Sequence, residues 1–313
     1  MKLTFSRFLV ENAGEAPNVS TIKNNLGMCI EHERFIFRGS ETAHDGFGEK
    51  EKRTSRTSLT NSNVIMNFTS LYFDHLPNRK KSYFGTNSPS NATDFGSVFV
   101  IVPHDDVKEF AIVPNDFNLR DNPVLNEIKT GLDFSGFGFQ FVYSLQKICA
   151  GLKQKQSRQR VEELDEVITK LSNNHEDVEK KDFEDFDLLF NEVFSSGEPY
   201  KVLDYSNDAK FAWFVWEVVS SKYDGSFILF IKHAIQKGTE DIKVVSLDEV
   251  LKMFKTDETF EVWFEGRCSY FNMDWLNEQY QKLNDNEDAD IVNDANDEED
   301  INLAIAEVLR QYI

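Results

Sequence analysis

Cysteine and histidine are scarce in this sequence, and neither residue is arranged as a metal framework. The three cysteines, Cys29, Cys149 and Cys268, are far apart and form no CxxC pair. An odd number of widely spaced cysteines is typical of a protein from a reducing compartment. The six histidines are scattered and include no HExxH motif. The sequence therefore predicts no metal site.

Long apolar runs are also missing. No run approaches the roughly 20 residues needed to cross a bilayer, so we expect no membrane contact. The N-terminal segment, residues 1–19, has a basic residue but neither a long apolar core nor a small-residue cleavage site. We interpret it as a short amphipathic segment rather than a signal peptide.

Positive charge is in short supply: 34 Lys and Arg face 54 Asp and Glu, for a formal net charge of −20. Such a chain is repelled by nucleic acid and anionic lipid unless its basic residues are segregated. Two local basic groups stand out, Arg53 with Arg56 in a Ser/Thr-rich loop, and residues 77–81. Both groups are consistent with an anionic ligand, although a solvated loop also explains the first.

Apolar residues are nevertheless abundant enough for a sizeable core, because the hydrophobic share is 40% and includes 28 Phe. Changes in composition divide the chain into five parts. They are an N-terminal segment (1–19), the first part of a β-rich domain (20–150), a charged helical insertion (151–196), the second part of the domain (197–283), and an acidic linker with a terminal helix (284–313).

Several local signals predict individual elements. Apolar residues 35–37 predict a strand that ends at Arg38 and Gly39, and the runs 97–103 and 109–114 predict buried strands that end at prolines. Ser88 followed by Pro89 predicts the start of a short helix, with serine as the N-cap.

The later part of the chain is predicted in the same way. The run 226–235, "SFILFIKHAI", favours a strand, whereas 210–219, "KFAWFVWEVV", fits a strand or a helix. Ser246 predicts a helix N-cap. Residues 259–273 predict two strands that form a hairpin around Gly266.

Three separated windows resemble the ADP-ribosyltransferase superfamily of the arginine–serine–glutamate type. Arg38 ends an early strand, "TNS" at Thr86 to Ser88 precedes a short helix, and Glu261 opens "EVWF" in a late strand. Asn87 replaces the middle residue of the family's serine–threonine–serine motif. The resemblance implies an α+β fold in which a pair of antiparallel sheets surrounds a cleft, with a helical insertion.

The resemblance also implies roles for single residues, with NAD as the substrate. Arg38 would bind the pyrophosphate as a planar fork of donors, and Gly39 would let the backbone approach the ligand. Thr86 and Ser88 would hold ribose or anionic oxygens. Glu261 would stabilise the oxocarbenium-like ribose as the nicotinamide leaves.

Some assignments within the resemblance stay open. Glu265 is an alternative catalytic residue, because it shares the side-chain parity of Glu261 along the strand. Tyr83 and Phe84 would stack on nicotinamide or pack in the core. Arginine-modifying members of the family carry an acidic or amide residue two positions before the glutamate, and this chain has Thr259 there.

We therefore expect an NAD-dependent mono-ADP-ribosyltransferase that modifies a host protein or nucleic acid. The opening "MKLTFSRFLVEN" and the spacing of the motifs resemble proteins of large tailed phages. That resemblance implies action in the bacterial host cytoplasm or association with the virion. The alternative is a non-enzymatic phage structural or interaction protein, with a virion protein as partner, on a transferase-like scaffold.

Overall fold

The structure is a computed structural model that divides the chain into two compact units. Unit 1 comprises Met1–Arg53, Ser82–Asn115 and Lys243–Ile313, and unit 2 comprises Thr54–Lys81 and Asp116–Ile242. Within these limits the structure describes residues 19–41, 46–53, 63–114, 124, 134–153, 158–172, 178–197, 199, 210–239, 242–256, 258–284, 290–291 and 297–313. The predicted N-terminal segment, the loop with Arg56, and most of the acidic linker lie outside the described residues.

Unit 1 is built on one antiparallel sheet of eight strands, in the order β2-β8-β4-β1-β3-β7-β5-β6. In chain order the strands are β1 (Ile36–Ser40), β2 (Phe47–Lys50), β3 (Ser82–Thr86), β4 (Ser97–Pro103), β5 (Phe110–Pro114), β6 (Lys243–Val245), β7 (Phe260–Glu265) and β8 (Cys268–Asn272). The predicted strands before Pro103 and Pro114 are confirmed as β4 and β5.

The sheet has a weak seam in its middle. The ladders on either side contain three to five residue pairs each, but β1 and β3 share only the pair Phe37↔Thr86. The strands β2-β8-β4-β1 therefore form one half, and β3-β7-β5-β6 form the other. The expected α+β class with antiparallel strands is confirmed, but the structure has one continuous sheet where a pair was predicted.

The α-helices that accompany the sheet in the described part of unit 1 are α1 (Lys23–His32), α3 (Pro89–Thr93), α9 (Leu247–Met253), α10 (Met273–Asn284) and α11 (Glu298–Leu309). The predicted N-cap of α9 is confirmed. Ser246 Oγ accepts from the backbone N–H of Glu249, and the Glu249 carboxylate accepts from the backbone N–H of Ser246. Apolar side chains of the sheet and these helices, including Leu26, Val250 and Ile305, are buried in one shared core.

The predicted hairpin around Gly266 is wrong, although both of its strands exist. β7 pairs with β3 and β5, whereas β8 pairs with β2 and β4, so the two strands belong to different halves of the sheet. The chain passes from one half of the sheet to the other at Gly266, which has a φ of +141°. A residue with a side chain would be strained at this φ, whereas glycine adopts it readily.

Unit 2 is helical in the residues that the structure describes. Its helices are α2 (Val64–Tyr72), α4 (Phe134–Lys153), α5 (Arg158–Ser172), α6 (Lys180–Ser195), α7 (Lys210–Lys222) and α8 (Phe227–Thr239), with a 3₁₀ turn at Arg79–Lys81. The charged segment predicted as an insertion at 151–196 thus lies within a larger helical unit. The core of unit 2 is rich in Phe, and Phe141 stacks on Phe227 with ring centroids 4.8 Å apart.

The strand predicted for 226–235 is wrong, because Phe227 and the residues that follow it belong to helix α8. Its buried residues Phe227, Phe230, Ile231 and Ala234 follow helical spacing, and other helices of unit 2 cover them. A short, continuous apolar run is compatible with a buried strand and with a buried helix, so the local pattern of residues does not distinguish the two. No described helix is long and apolar enough to span a membrane.

Candidate functional site

The three strands that carry the predicted motif are neighbours in the sheet, in the order β1-β3-β7. Arg38 lies on β1, Thr86 ends β3, and Glu261 lies near the start of β7. Antiparallel pairing therefore assembles residues that lie far apart in the sequence. The predicted short helix after Ser88 is confirmed as α3, with Pro89 in its first turn.

Glu261 and Thr86 are direct cross-strand partners in the β3–β7 ladder. Directly paired residues share a face of the sheet, with Cβ atoms about 4.5–5.5 Å apart. Glu265 pairs with Ser82 at the other end of the same ladder. Both glutamates are half-buried and share one face, so the predicted common parity holds in the structure.

Ser88 is buried at the junction between β3 and α3, and other parts of unit 1 satisfy its hydroxyl. Ser88 Oγ accepts a hydrogen bond from the backbone N–H of Asn91 at 3.3 Å and donates one to Glu298 Oε1 at 2.6 Å. Ser90 Oγ also lies 3.2 Å from that carboxylate oxygen. Glu298, in the acidic first turn of α11, therefore occupies the Ser88 hydroxyl, which is one of the two hydroxyls that the family resemblance assigns to the ligand.

Asn87 anchors the glutamate strand to the same junction. Its amide nitrogen donates to the Glu258 carbonyl at 2.9 Å, and its amide oxygen accepts from the Phe260 backbone N–H at 2.7 Å. Asn87 thereby fixes the start of β7 and the register of Glu261. The asparagine at the middle of the motif has a clear structural role.

Arg38 lies on the opposite face of the sheet from Glu261, and this is the face that carries Tyr83. Its Nη1 donates to the Phe84 carbonyl at 2.9 Å, and its guanidinium carbon lies 6.0 Å from the centre of the Tyr83 ring. Tyr83 pairs with Phe264, three residues along β7 from Glu261, and side chains alternate between faces. The structure therefore brings Glu261 and Thr86 together but leaves Arg38 with Tyr83.

Arg38 adds a hydrogen bond where the ladder between β1 and β3 is short. That ladder contains the single pair Phe37↔Thr86, whereas the ladders of β1 with β4 and of β3 with β7 contain five pairs each. The Arg38 guanidinium donates from β1 to the Phe84 carbonyl of β3. Arg38 thus joins the two halves of the sheet at its seam.

Gly39 meets protein rather than a ligand. A Cβ built on Gly39 would lie 2.0 Å from the Ala92 carbonyl oxygen and 2.8 Å from Phe95 Cβ, both in or next to α3. The glycine lets α3 pack directly on β1. The space beside Gly39 that was predicted to admit a ligand is therefore filled by α3.

Tyr83 and Phe84 lie on opposite faces of β3, because they are consecutive residues of one strand. The Tyr83 hydroxyl donates to the Glu51 carbonyl at 2.6 Å. Phe84 stacks on Trp263 with ring centroids 5.8 Å apart. Both rings are buried in protein contacts, and the strand does not present them to one nicotinamide ring.

Two further cations join Arg38 on the Tyr83 side, and we call Arg38, Lys50 and Arg53 the basic cluster. Burial lowers the pKa of Arg38 most, and the charge of Arg53 lowers it further. The pKa of Lys50 is also lowered, first by burial and then by Arg38. Sequence reasoning missed Lys50, because residues 49–63 resembled a polar loop, whereas Lys50 ends β2.

Burial also governs the uncharged titratable groups beside the basic cluster. It raises the pKa of both Tyr83 and Cys268 to about 12. The nearby cations oppose the shift of Cys268 but do not overcome it. Cys268 is therefore a protonated core thiol rather than a nucleophile.

Comparison with known proteins identifies no relative of this chain. No protein-family model, no curated protein and no solved structure matches it. Among the described residues, no group of three or more His, Cys, Asp or Glu side chains could hold a metal ion.

Proposed function

We propose that the chain is an NAD-dependent mono-ADP-ribosyltransferase with an ADP-ribosyltransferase-type fold. The observation that carries this proposal is the direct pairing of Thr86 with Glu261 on neighbouring strands. The adjacency of β1, β3 and β7 and the short helix after Ser88 support it. The acceptor would be a host protein or nucleic acid in the bacterial cytoplasm.

In this proposal Glu261 acts on the bond between nicotinamide and ribose. As that bond breaks, its electron pair leaves with nicotinamide and positive charge develops on the ribose. The Glu261 carboxylate stabilises this charge, in the way that a carboxylate does in glycoside cleavage. A nucleophile of the acceptor then bonds to the ribose carbon and loses its proton, which completes the transfer of ADP-ribose.

The remaining residues of the junction orient the glutamate. Thr86 lies beside it, and Asn87 holds the start of its strand. Arg38 contributes by joining β1 to β3 through the Phe84 carbonyl. A contact between Arg38 and the same NAD molecule is not part of the proposal, because Arg38 lies on the other side of β3.

That separation favours a second candidate, a non-enzymatic interaction or phage structural protein on the same scaffold. The contact of Glu298 with Ser88 and Ser90 points the same way, because it occupies polar groups that a ligand would use. In this second candidate the protein releases no nicotinamide from NAD, and its function is to bind a virion or host partner.

The experiment is a measurement of nicotinamide release from NAD, together with transfer of adenylate-labelled NAD to components of a bacterial lysate. Glu261→Gln keeps the size of the side chain and removes its charge, and we expect it to lower the rate about 10²–10³-fold. Glu265→Gln is the matched control, because it makes the same change on the same face of the same strand.

We expect Glu265→Gln to retain activity. Loss of activity in Glu265→Gln with activity retained in Glu261→Gln would contradict the assignment of Glu261. Absence of nicotinamide release from the wild-type protein, with folding confirmed by circular dichroism, would replace the enzyme with the second candidate.

A further inference from the structure

The basic cluster gathers three cations around aromatic rings on the Tyr83 side of β3. The guanidinium carbons of Arg38 and Arg53 lie 6.0 Å and 5.5 Å from the centre of the Tyr83 ring. Lys50 Nζ lies 5.1 Å from the centre of the Tyr270 ring. Cation–π contacts at such distances attract the cations to the rings but do not neutralise their charge.

No carboxylate in the described part of the chain forms an ion pair with these three cations. The ion pairs of the described residues involve other cations, and none includes Arg38, Lys50 or Arg53. Instead the cations repel one another, since the charges of Arg38 and Arg53 both lower the pKa of Lys50. This arrangement stands out in a chain with a formal net charge of −20.

One donor of the cluster has no acceptor. Arg53 Nη1 is buried and forms no hydrogen bond with any described residue. Leaving a buried charged donor unpaired is unfavourable, because the group has lost its water without gaining another acceptor, so such groups usually have a partner. An acceptor that carries negative charge would satisfy this donor and relieve the repulsion among all three cations.

We propose that the basic cluster binds a phosphate or diphosphate group of a small molecule. A phosphate offers several acceptor oxygens and up to two negative charges, and guanidinium groups match its geometry. The flanking Tyr83 and Tyr270 rings present faces to the cations rather than competing carboxylates. Because the site lies on the other side of β3 from Glu261, the proposal goes beyond the transfer reaction and requires no cleavage of NAD.

The test uses inorganic pyrophosphate as the probe, with isothermal titration calorimetry on the full chain in the absence of NAD. We expect saturable binding at one site per chain, and an affinity that falls as sodium chloride is raised. Lys50→Gln and Arg53→Gln should each weaken binding about tenfold or more, which is the value of one charged hydrogen bond.

Two control variants distinguish binding at the basic cluster from a general attraction of pyrophosphate to cations on the protein surface. Lys243→Gln removes an exposed cation of β6 in the same unit, and it should leave the affinity unchanged. Glu261→Gln should also bind pyrophosphate normally, because Glu261 faces the other side of β3. The two proposals can therefore fail independently of each other.

A second measurement guards against variants that merely fold poorly. Without ligand, Lys50→Gln and Arg53→Gln remove repulsion, so we expect melting temperatures equal to or above that of the wild type. Binding sites commonly show this gain of stability with loss of function. Absence of saturable binding to the wild type, or equal losses of affinity in Lys50→Gln and Lys243→Gln, would overturn the proposal.

Discussion

Replacing Gly39 by alanine tests whether this glycine serves helix packing or ligand approach. The added Cβ would lie 2.0 Å from the Ala92 carbonyl oxygen, where real Cβ atoms essentially never lie. The clashing atom belongs to the backbone of α3, so it cannot rotate away as a flexible side chain would. Either α3 or β1 must move, and the bonds between them must stretch.

The cost should lie at the upper end of the range for overpacking, about 3 kcal/mol. For a domain of this size a loss of 1 kcal/mol lowers the melting temperature by about 2–4 °C, so we expect a decrease of about 6–12 °C. The two units of the chain can melt separately, so the assay should be differential scanning calorimetry, with the unit 1 transition identified from a variant of the other unit.

Hydrogen exchange measured by mass spectrometry locates the effect. Peptides that cover residues 36–40 and 89–96 should exchange faster in Gly39→Ala, whereas peptides of unit 2 should not change. Gly27→Ala is the matched control, because Gly27 lies inside α1 and a Cβ added there would have no atom within 4 Å. We expect it to stabilise the protein by about 0.5–1 kcal/mol.

A melting temperature of Gly39→Ala equal to that of the wild type would refute the packing argument. Unchanged stability combined with weaker binding of NAD would restore the ligand role that the family resemblance implies for Gly39. A loss of stability with altered exchange at 89–96 supports the packing role instead.

Two further predictions concern the cores of the two units. Phe141→Ala should destabilise unit 2 by about 3–5 kcal/mol, because the fully buried Phe141 ring stacks on Phe227. Calorimetry should show a lower melting temperature for unit 2, and an unchanged melting temperature would contradict this packing. Burial raises the pKa of Cys29 and Cys268 from 9.0 to about 12, so the folded state keeps these protons longer than the unfolded state does. Their contribution to stability is complete below pH 9 and is lost as the pH rises toward 12, which urea unfolding at several pH values should reveal. Rapid reaction of these thiols with a maleimide in the native protein would show that they are not buried.

Local signals in the sequence were sufficient for individual elements. Ser246 and Ser88 cap helices because a serine side chain can accept from a backbone N–H two or three residues later, and that interaction needs no distant partner. Proline ends β4 and β5 for a similarly local reason, since it lacks an N–H for the ladder.

Pairing and side-chain direction depended on the tertiary structure. The strands around Gly266 look like a hairpin, yet each finds full-length partners in a different half of the sheet. The apolar run in α8 resembles a strand until the surrounding helices of unit 2 cover it. In both cases the competing local states are close in energy, and long-range packing decides between them.

The candidate site shows the same division most clearly. The amino-acid sequence is sufficient for the acidic character of the chain and for the helix start at Ser88. The pairing of Glu261 with Thr86, the contact of Arg38 with Tyr83, and the position of Lys50 near Arg38 depend on the folded sheet. Side chains alternate between faces with a period of two residues, so a shift of one residue in register moves every side chain to the other face, and distant partners set the register.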